Sequence, residues 1–312
     1  MVRTVLTWRL LGEQLVGTCH VPTPGRAAGL SGAPSVGILL LNPGSAPRSG
    51  NSDLSACLGD RLALRGFPVF RFDLPGLGDS SGATPLDLDA YWSSVVDGRN
   101  DEATVALIER IHNEFGVERV VVGGLCAATL PAVRALRRAG TAAAGLILLE
   151  PSLRLTLLQT PAGGWGFAGS AASGTGAAGL RRALSTLGLA RGGRLLRALL
   201  RSTLSRTSGR ALPRDANLPL IALWQESLVQ GLPSLVVVAA GHGTDRYVER
   251  VLRSMPARAQ GSVTRVRVPG TNHLFTSGTG RAAVLAALEQ WMTRNFGNLP
   301  EAVALQEGGR RS

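Results

Sequence analysis

Residues 120–130 read Val-Val-Val-Gly-Gly-Leu-Cys-Ala-Ala-Thr-Leu, and this segment is the most informative part of the sequence. Three β-branched residues lead into a glycine pair, and Cys126 follows one residue later, ahead of small residues that open a helical pattern. This order predicts a strand, a sharp turn and a helix, with a thiol at the apex of the turn. It matches the nucleophile elbow G-x-S-x-G, with Cys126 in place of the serine and Ala128 in place of the last glycine.

The small residues around Cys126 have a physical reason. The backbone at the apex of such an elbow is strained, and the helix must start directly against the strand, which Gly124, Ala127 and Ala128 permit. A helix N-terminus also favours negative charge and lowers the pKa of a nearby thiol. Cys126 is therefore predicted to be the catalytic nucleophile.

The catalytic partners of an elbow nucleophile follow along the chain as an acid and then a histidine. Among four histidines, His273 stands in a Pro-Gly-Thr-Asn loop between a short strand and a final helix predicted at about 280–295. A histidine on that loop can reach the elbow, so His273 is predicted to carry the proton. His20, in an early apolar strand, and His112, in a polar helix, are interpreted as structural.

The acid is expected after the preceding strand, which is predicted at 235–240. Asp245 is the first carboxylate beyond it and would hold the imidazole tautomer and stabilise the imidazolium, although it also stands where a helix N-cap would. Glu150, at the end of a strand predicted at 146–149, is the alternative acid. His242 lies between two glycines on a loop that points to the same site.

An oxyanion hole needs two backbone N–H groups. One comes from the residue after the nucleophile, here Ala127, and the other from the loop after an earlier strand. The buried-strand run 36–41 is followed by Asn-Pro-Gly-Ser, so Ser45 is predicted as the second donor, with Gly44 as the alternative.

Residues 71–80 read Arg-Phe-Asp-Leu-Pro-Gly-Leu-Gly-Asp-Ser. Together with the elbow, this segment resembles the R-x-D-x-x-G-x-G-x-S pattern of many members of the α/β-hydrolase superfamily. Its glycines and proline predict a tight loop, and its charges are expected to pin that loop. We interpret it as scaffold.

The resemblance to the α/β-hydrolase superfamily covers about residues 10–150 and 230–295. The thiol nucleophile is similar to that of the dienelactone-hydrolase branch. The closer resemblance is to the exosortase-system-associated hydrolases of bacterial exopolysaccharide loci, on a similar start (residues 15–22), a Gly-Leu-Cys elbow and an oxyanion loop echoed in 44–50. In those hydrolases an aspartate precedes the histidine, whereas Asn272 does here, and their acid follows the strand sooner than Asp245 does. The resemblance implies a reaction type more than a substrate.

Composition is consistent with one large α/β domain with an insertion, because the 312 residues are 45% hydrophobic. Strand runs alternate with helical runs, which predicts a mostly parallel sheet with helices on both faces. The predicted parts are the N-terminal core, a basic cap, the C-terminal core and a flexible tail, at residues 1–150, 151–220, 221–297 and 298–312.

The sequence has no apolar run of about 18 residues and no signal-peptide core at its start, so no membrane span or leader is predicted. Its three cysteines do not suggest a disulfide framework, and Cys19 and Cys57 are expected in the core. A free nucleophilic thiol suits a reducing cytoplasm, with a peripheral position at the inner membrane as a variant. No metal-ligand cluster, phosphate loop or dinucleotide fingerprint occurs, so no metal or cofactor is implied.

The charge is unevenly distributed. The net charge is +12, all basic residues are arginine, and residues 151–214 contain ten arginines without one Asp or Glu. Residues 161–179 are rich in Gly, Ala and Ser and predict a flexible loop, whereas 180–204 form a basic amphipathic pattern of leucines and arginines. The plain interpretation is a solvated cap face whose leucines cover the active site.

The functional alternatives for this basic segment are an anionic membrane surface, an acidic carrier protein or an anionic substrate. Nucleic acid is not expected, because no binding motif or aromatic interleaving accompanies the charge.

The sequence therefore predicts a hydrolase or acyltransferase that acts on a small or carrier-bound ester or thioester. The competing interpretation is a catalytically silent scaffold or binding protein of the same fold, since fold does not fix function.

Overall fold

The structure is a computed structural model that describes residues 1–22, 36–154, 158–159, 165–166, 212–213 and 215–297. The strands in these residues are β1 (Val2–Leu10), β2 (Glu13–Val21), β3 (Val36–Leu41), β4 (Val69–Phe72), β5 (Arg119–Leu125), β6 (Ala143–Leu149), β7 (Leu158–Gln159), β8 (Trp165–Gly166), β9 (Ser234–Ala239) and β10 (Val263–Val268). The α-helices are α1 (Leu54–Leu64), α2 (Leu88–Asp97), α3 (Asp101–Phe115), α4 (Thr129–Ala139), α5 (Leu218–Val229), α6 (Gly243–Ser254), α7 (Ala257–Gly261) and α8 (Gly278–Phe296).

Eight strands form one sheet in the order β1–β2–β4–β3–β5–β6–β9–β10, and β7 pairs separately with β8. The pairs β1–β2 and β2–β4 are antiparallel, and every other neighbouring pair in the sheet is parallel. The predicted mostly parallel α/β sheet is thereby confirmed.

The central strands are buried on both faces, which explains their continuous apolar sequences. Every residue of β3, β6 and β9 is buried. Alternate residues of β3 face opposite layers: Leu39 packs in a core cluster with α3 and α4, whereas Ile38 packs with α1 and α8. Each fully buried Leu or Ile contributes about 1.5–3 kcal/mol, so both layers hold the sheet.

Parallel strands end at the same edge of a sheet, and the candidate residues gather there. In the registered pairs, Leu41 of β3 faces Gly124 of β5, and Leu125 faces Leu149 of β6. The loops that follow β3, β5, β6, β9 and β10 therefore meet at one carboxyl edge.

The base of the predicted cap is fixed at this edge. Arg154 and Ala216 form a β-bridge, and the Asn217 N–H donates to the Leu153 carbonyl at 2.9 Å. The Arg154 guanidinium lies 3.6 Å from the carboxylate of Asp215. The two ends of the insertion thus meet beside the end of β6.

Most of the cap prediction lies outside the described residues. This holds for most of the Gly-rich part 161–179, for the amphipathic part 180–204 and for the tail 298–312. None of the helices in the described ranges combines the length and the hydrophobicity that a membrane span requires.

Candidate active site

Cys126 stands at the predicted elbow. β5 ends at Leu125, a 3₁₀ turn spans Cys126–Ala128, and α4 begins at Thr129. The φ angle of Cys126 is 58°, a left-handed conformation that costs a non-glycine residue about 1–3 kcal/mol and that clusters at functional sites. The side chain is half-buried, whereas Ala127 and Ala128 are buried.

The glycines before the cysteine are required by close packing. A Cβ atom on Gly123 would lie 2.0 Å from the carbonyl oxygen of Ile147 in β6. A Cβ atom on Gly124 would lie 2.6 Å from the Cβ atom of Ala128. The strand can therefore turn into the helix at this point only without side chains at both positions.

His273 lies on the loop between β10 and α8, as predicted, and its side chain is 32% exposed. Its Nδ1 is 3.0 Å from Oε2 of Glu150. The ring also interacts with the thiol of Cys126. The imidazole thus connects the elbow to a carboxylate.

Glu150 directly follows the last residue of β6 and is completely buried. Its second carboxylate oxygen, Oε1, accepts a hydrogen bond from the Ala239 N–H of β9 at 2.5 Å. Its φ angle is 47°, again left-handed, and its own N–H donates to the Val237 carbonyl at 2.8 Å. Both oxygens and the backbone of Glu150 are therefore fixed.

The structure places Glu150, and not the predicted Asp245, at the Nδ1 atom of His273. Asp245 is buried within the first turn of α6, and its carboxylate is bound by the guanidinium groups of Arg265 and Arg267 and by the Gly241 N–H. The distance from Arg267 Nη2 to Asp245 Oδ2 is 2.8 Å. Two arginines of β10 thus hold this carboxylate away from the histidine, and the structure brings the alternative acid, Glu150, to the imidazole.

The two arginines lower the pKa of the Asp245 carboxyl group. Burial by itself would raise the pKa of Asp245, but hydrogen bonds from Arg267, Gly241 and Arg265 outweigh it and lower the pKa to about 2. Asp245 is therefore ionised at neutral pH and neutralised by its arginines.

The thiol and the imidazole stabilise each other's charged forms. Burial by itself would raise the pKa of Cys126, but its hydrogen bond to His273 and the charge of that ring outweigh it, so the pKa is lowered. For His273, burial would lower the pKa, but the hydrogen bonds to Cys126 and Glu150 raise it. This arrangement favours a thiolate–imidazolium pair at neutral pH.

Ser152 is a site residue that the sequence did not indicate. Its hydroxyl oxygen lies 3.7 Å from Cys126 Sγ, and the residue is 1% exposed. A possible signal was its place, two residues after Glu150 on the loop that leaves β6 at the carboxyl edge.

Of the predicted oxyanion donors, Ala127 lies next to Cys126 in the chain, whereas Ser45 and Gly44 lie on the separate turn after β3. The Ala127 N–H interacts with the sulfur of Cys126. Ser45 is exposed in a turn closed by the Ala46 N–H and the Pro43 carbonyl, with Gly44 at a φ angle of 64°. This turn lies at the same sheet edge as the elbow, and the role of Ser45 or Gly44 stays a prediction.

The segment 71–80 pins that turn. The carboxylate of Asp73, which is fully buried, accepts from Asn42 Nδ2 at 2.9 Å and from the Arg48 N–H at 2.6 Å. Arg71 donates to the Arg48 carbonyl at 2.7 Å. The Asp73 and Arg71 side chains therefore hold both ends of the loop after β3.

His20 and His112 have structural partners, as was predicted. His20 is fully buried, with Nδ1 at 3.0 Å from Asp60 and Nε2 accepting from Arg71 at 2.8 Å. Burial, and then the charge of Arg71, lower the pKa of His20 to about 4, so its ring is neutral. His112 Nδ1 is 2.7 Å from the Val117 carbonyl.

No group of three or more His, Cys, Asp or Glu residues suited to a metal ion occurs in the part of the chain that the structure describes. A cleft of about 630 Å³ opens at the opposite edge of the sheet, between α4 and α5 and beside the starts of β6 and β9. None of the residues around Cys126 lines it.

The sequence matches the model of the alpha/beta hydrolase family over residues 38–288, so the chain belongs to this family and is an enzyme of the hydrolase type. A search of curated proteins gave no match.

Several solved structures are similar in fold. An alpha/beta serine hydrolase without a lid from Xanthomonas campestris has a TM-score of 0.54 and 15% identity, covering 96% of this chain and 97% of that one. Dienelactone hydrolase from Anabaena variabilis has a TM-score of 0.53 and 13% identity, covering 95% and 98%. A thioesterase domain from the curacin biosynthetic pathway has a TM-score of 0.52 and 15% identity, covering 93% and 99%. At these identities the likeness concerns the fold.

Proposed function

We propose that this protein cleaves an ester or thioester through a covalent acyl intermediate on Cys126, with His273 as the proton carrier and Glu150 as the orienting acid. One observation carries the proposal: the imidazole of His273 stands between the Cys126 thiol and the Glu150 carboxylate, with 3.0 Å between Nδ1 and Oε2. A nucleophile, a base and an acid that orients the base make up the machinery of acyl transfer.

Acylation starts from the thiolate–imidazolium pair. The Cys126 thiolate attacks the acyl carbonyl, a carbon–sulfur bond forms, and the carbonyl oxygen becomes an oxyanion. As the intermediate collapses, the Nε2–H of the imidazolium protonates the departing alcohol or thiol. Glu150 accepts from Nδ1–H throughout, so that Nε2 stays directed at the reacting atoms.

Deacylation reverses these roles. Neutral His273 takes a proton from the attacking water, and the second tetrahedral intermediate collapses with cleavage of the carbon–sulfur bond. The thiolate and the imidazolium are restored, and the acid is released. An amine, alcohol or thiol in place of water gives acyl transfer by the same steps, because the intermediate is itself an activated thioester.

The oxyanion is assigned to the Ala127 N–H and to a second N–H from the turn at Ser45, with Gly44 as the alternative donor. Support comes from the pinned loop after β3, because donors aimed at the developing charge must be fixed before the reaction. Exchanging side chains does not remove a backbone donor, so this assignment depends on geometry.

The biological setting is proposed from the resemblance and from charge. We assign the protein to a bacterial exopolysaccharide system, as its similarity to exosortase-system-associated hydrolases implies. The ten arginines of residues 151–214, without one acid, favour a substrate presented by an acidic carrier protein or at an anionic membrane surface. That segment lies mostly outside the described residues, so the partner is proposed from sequence alone.

The test is a panel of acyl substrates combined with cysteine mapping. Cys126→Ala should abolish turnover of small esters and acyl thioesters, and brief iodoacetamide treatment should modify Cys126 before the other cysteines. A mass increase equal to the acyl group should appear on the peptide with Cys126 after rapid quenching. An acidic-carrier thioester should lose turnover with added salt, whereas a small neutral ester should not, since exposed charges are screened within ~10 Å at 0.1 M.

Cys57→Ala is the matched control, because Cys57 is a half-buried free thiol on α1. Cys19 provides an internal comparison, since burial raises the pKa of its thiol to about 12. If Cys126 is no more reactive than these two and no substrate in the panel is turned over, the scaffold interpretation replaces the proposal.

A further inference from the structure

The tripeptide Glu150-Pro151-Ser152 contacts both members of the catalytic pair. Glu150 binds the imidazole of His273, and two residues later the Ser152 hydroxyl lies 3.7 Å from Cys126 Sγ. The carboxylate faces the group that becomes positive, and the hydroxyl faces the group that becomes negative. The tripeptide therefore contacts both groups that become charged, and its contribution is not limited to the carboxylate of Glu150.

The backbone of Ser152 is tied to the elbow itself. Its N–H donates to the Thr129 hydroxyl at 3.1 Å, and that hydroxyl donates to the Cys126 carbonyl at 2.6 Å. Both Ser152 and Thr129 are 1% exposed. The proline between Glu150 and Ser152 fixes one backbone torsion. Position 152 is therefore held relative to the nucleophile through two hydrogen bonds.

The Ser152 hydroxyl is the donor in its hydrogen bond with an ionised Cys126. In the described part of the chain, Cys126 Sγ is the hydrogen-bonding partner of Ser152 Oγ. A thiolate carries no proton and can only accept, so an ionised Cys126 leaves Ser152 as the donor. A donor to the charged form stabilises that form, and hydrogen bonds to charged groups are stronger than neutral ones.

We propose that Ser152 is a catalytic residue of this site, which donates a hydrogen bond to the resting Cys126 thiolate and again to the thiolate as it leaves during deacylation. The proposal rests on the proposed function of Cys126. In the acyl intermediate the sulfur is a neutral thioester and accepts weakly. As the carbon–sulfur bond breaks, the electron pair returns to sulfur, and the hydroxyl bond is formed again.

The consequence is that Ser152 favours the thiolate both before attack and as a leaving group. Its removal should slow alkylation at neutral pH by lowering the thiolate fraction. It should also slow deacylation, so that acyl enzyme accumulates.

The test uses the full chain without substrate. In Ser152→Ala the pH profile of Cys126 alkylation, and the ultraviolet absorbance of the thiolate, should shift to higher pH. Alkylation at neutral pH should slow by about tenfold, as expected for loss of one hydrogen bond to a charged group. Ser152→Thr retains the hydroxyl and should keep the parent profile.

Ser227→Ala is the matched control, because Ser227 is also buried and its hydroxyl donates to the Trp224 carbonyl, away from the elbow. An unchanged profile in Ser152→Ala, or a Thr variant that titrates like the Ala variant, overturns the proposal. Those outcomes leave the proposed function intact. That function fails if Cys126→Ala retains turnover, or if Cys126 is no more reactive than Cys19 and Cys57 and no substrate in the panel is turned over.

Discussion

Two buried carboxylates, Glu150 and Asp245, lie at the same edge of the sheet and have opposite surroundings. Glu150 follows β6 and meets one backbone N–H and the imidazole of His273. Asp245 follows β9 and meets two guanidinium groups and one backbone N–H. The charge of Glu150 can therefore stabilise an imidazolium, whereas the charge of Asp245 is already balanced by its two arginines.

The difference shows that the position of an acid along the chain does not determine which groups its carboxylate contacts. A carboxylate assists a histidine only if no permanent cation takes its charge first. Arginine stays protonated at every relevant pH and offers a planar set of donors, so two arginines bind a carboxylate more completely than an imidazole can. Asp245 therefore connects α6 to β10, and Glu150 is the carboxylate that contacts His273.

Of the substitutions at the two carboxylates, Glu150→Gln is expected to have the largest effect, and that effect is on kcat. Glu150→Gln preserves the size of the side chain but presents an amide to His273, so that it can neither stabilise the imidazolium nor enforce the tautomer. We expect kcat for an acyl thioester to fall by about 10²–10⁴-fold, as for loss of a triad acid. Measured beside it, Asp245→Asn should stay within about tenfold of the parent, since its carboxylate is out of contact with the site.

Thermal unfolding of both variants is needed as a control, because Glu150 is fully buried. The folded fraction must be equal before rates are compared. A larger loss of kcat in Asp245→Asn than in Glu150→Gln would return the acid's role to Asp245 and reverse the comparison.

The second consequence concerns stability and its dependence on pH. The pKa of Asp245 is lowered from 3.8 to about 2, which corresponds to about 2 kcal/mol of unfolding free energy at neutral pH. Because the folded-state pKa is the lower one, this contribution is present above pH ~4 and is lost as the pH falls towards about 2. Asp245→Asn should thus be less stable than the parent at neutral pH, and the gap should close in acid.

Urea denaturation at several pH values measures this gap directly. Glu118→Gln is a suitable control, because Glu118 is an exposed acid of similar charge. A gap that stays constant between neutral pH and pH ~2 would mean that Asp245 contributes by packing and not by its charge.

Much of this fold could be predicted from the sequence, because buried parallel strands are continuous apolar runs. β3 matches the predicted run 36–41, and α8 (Gly278–Phe296) confirms the helix predicted at about 280–295. The elbow was recognisable because strand, glycines, thiol and helix are contiguous. Local patterns of this kind need no knowledge of long-range contacts.

The acid could not be chosen from the sequence for the opposite reason. The choice depends on which side chains of β10 lie across from α6. Arginines at 265 and 267 place two cations on one face of an edge strand, and that alternation was visible. The carboxylate that these arginines bind was not visible, because it depends on how α6 packs against β10. Ser152 was hidden likewise, since it reaches Cys126 by the path of the loop after β6.

The smallest effect is expected at His242, an ionisable residue of the loop between β9 and α6. Its side chain is exposed, and its backbone N–H donates to the Ala239 carbonyl at 3.3 Å, so the turn does not require the ring. If the loop after β9 has no catalytic part, His242→Ala should leave kcat and KM within about twofold of the parent, as exposed substitutions usually do.

A more sensitive measurement repeats the His242→Ala substitution in the Glu150→Gln background. With the acid removed, any assistance that the imidazole of His242 gives to His273 would become the main remaining support, and its loss would lower the residual rate further. Equal residual rates in Glu150→Gln and in the double variant would assign the orienting role to Glu150 alone. A further loss of more than about tenfold would mean that the loops after β6 and β9 share it, and the contrast between the two carboxylates would then describe their charges but not their catalytic roles.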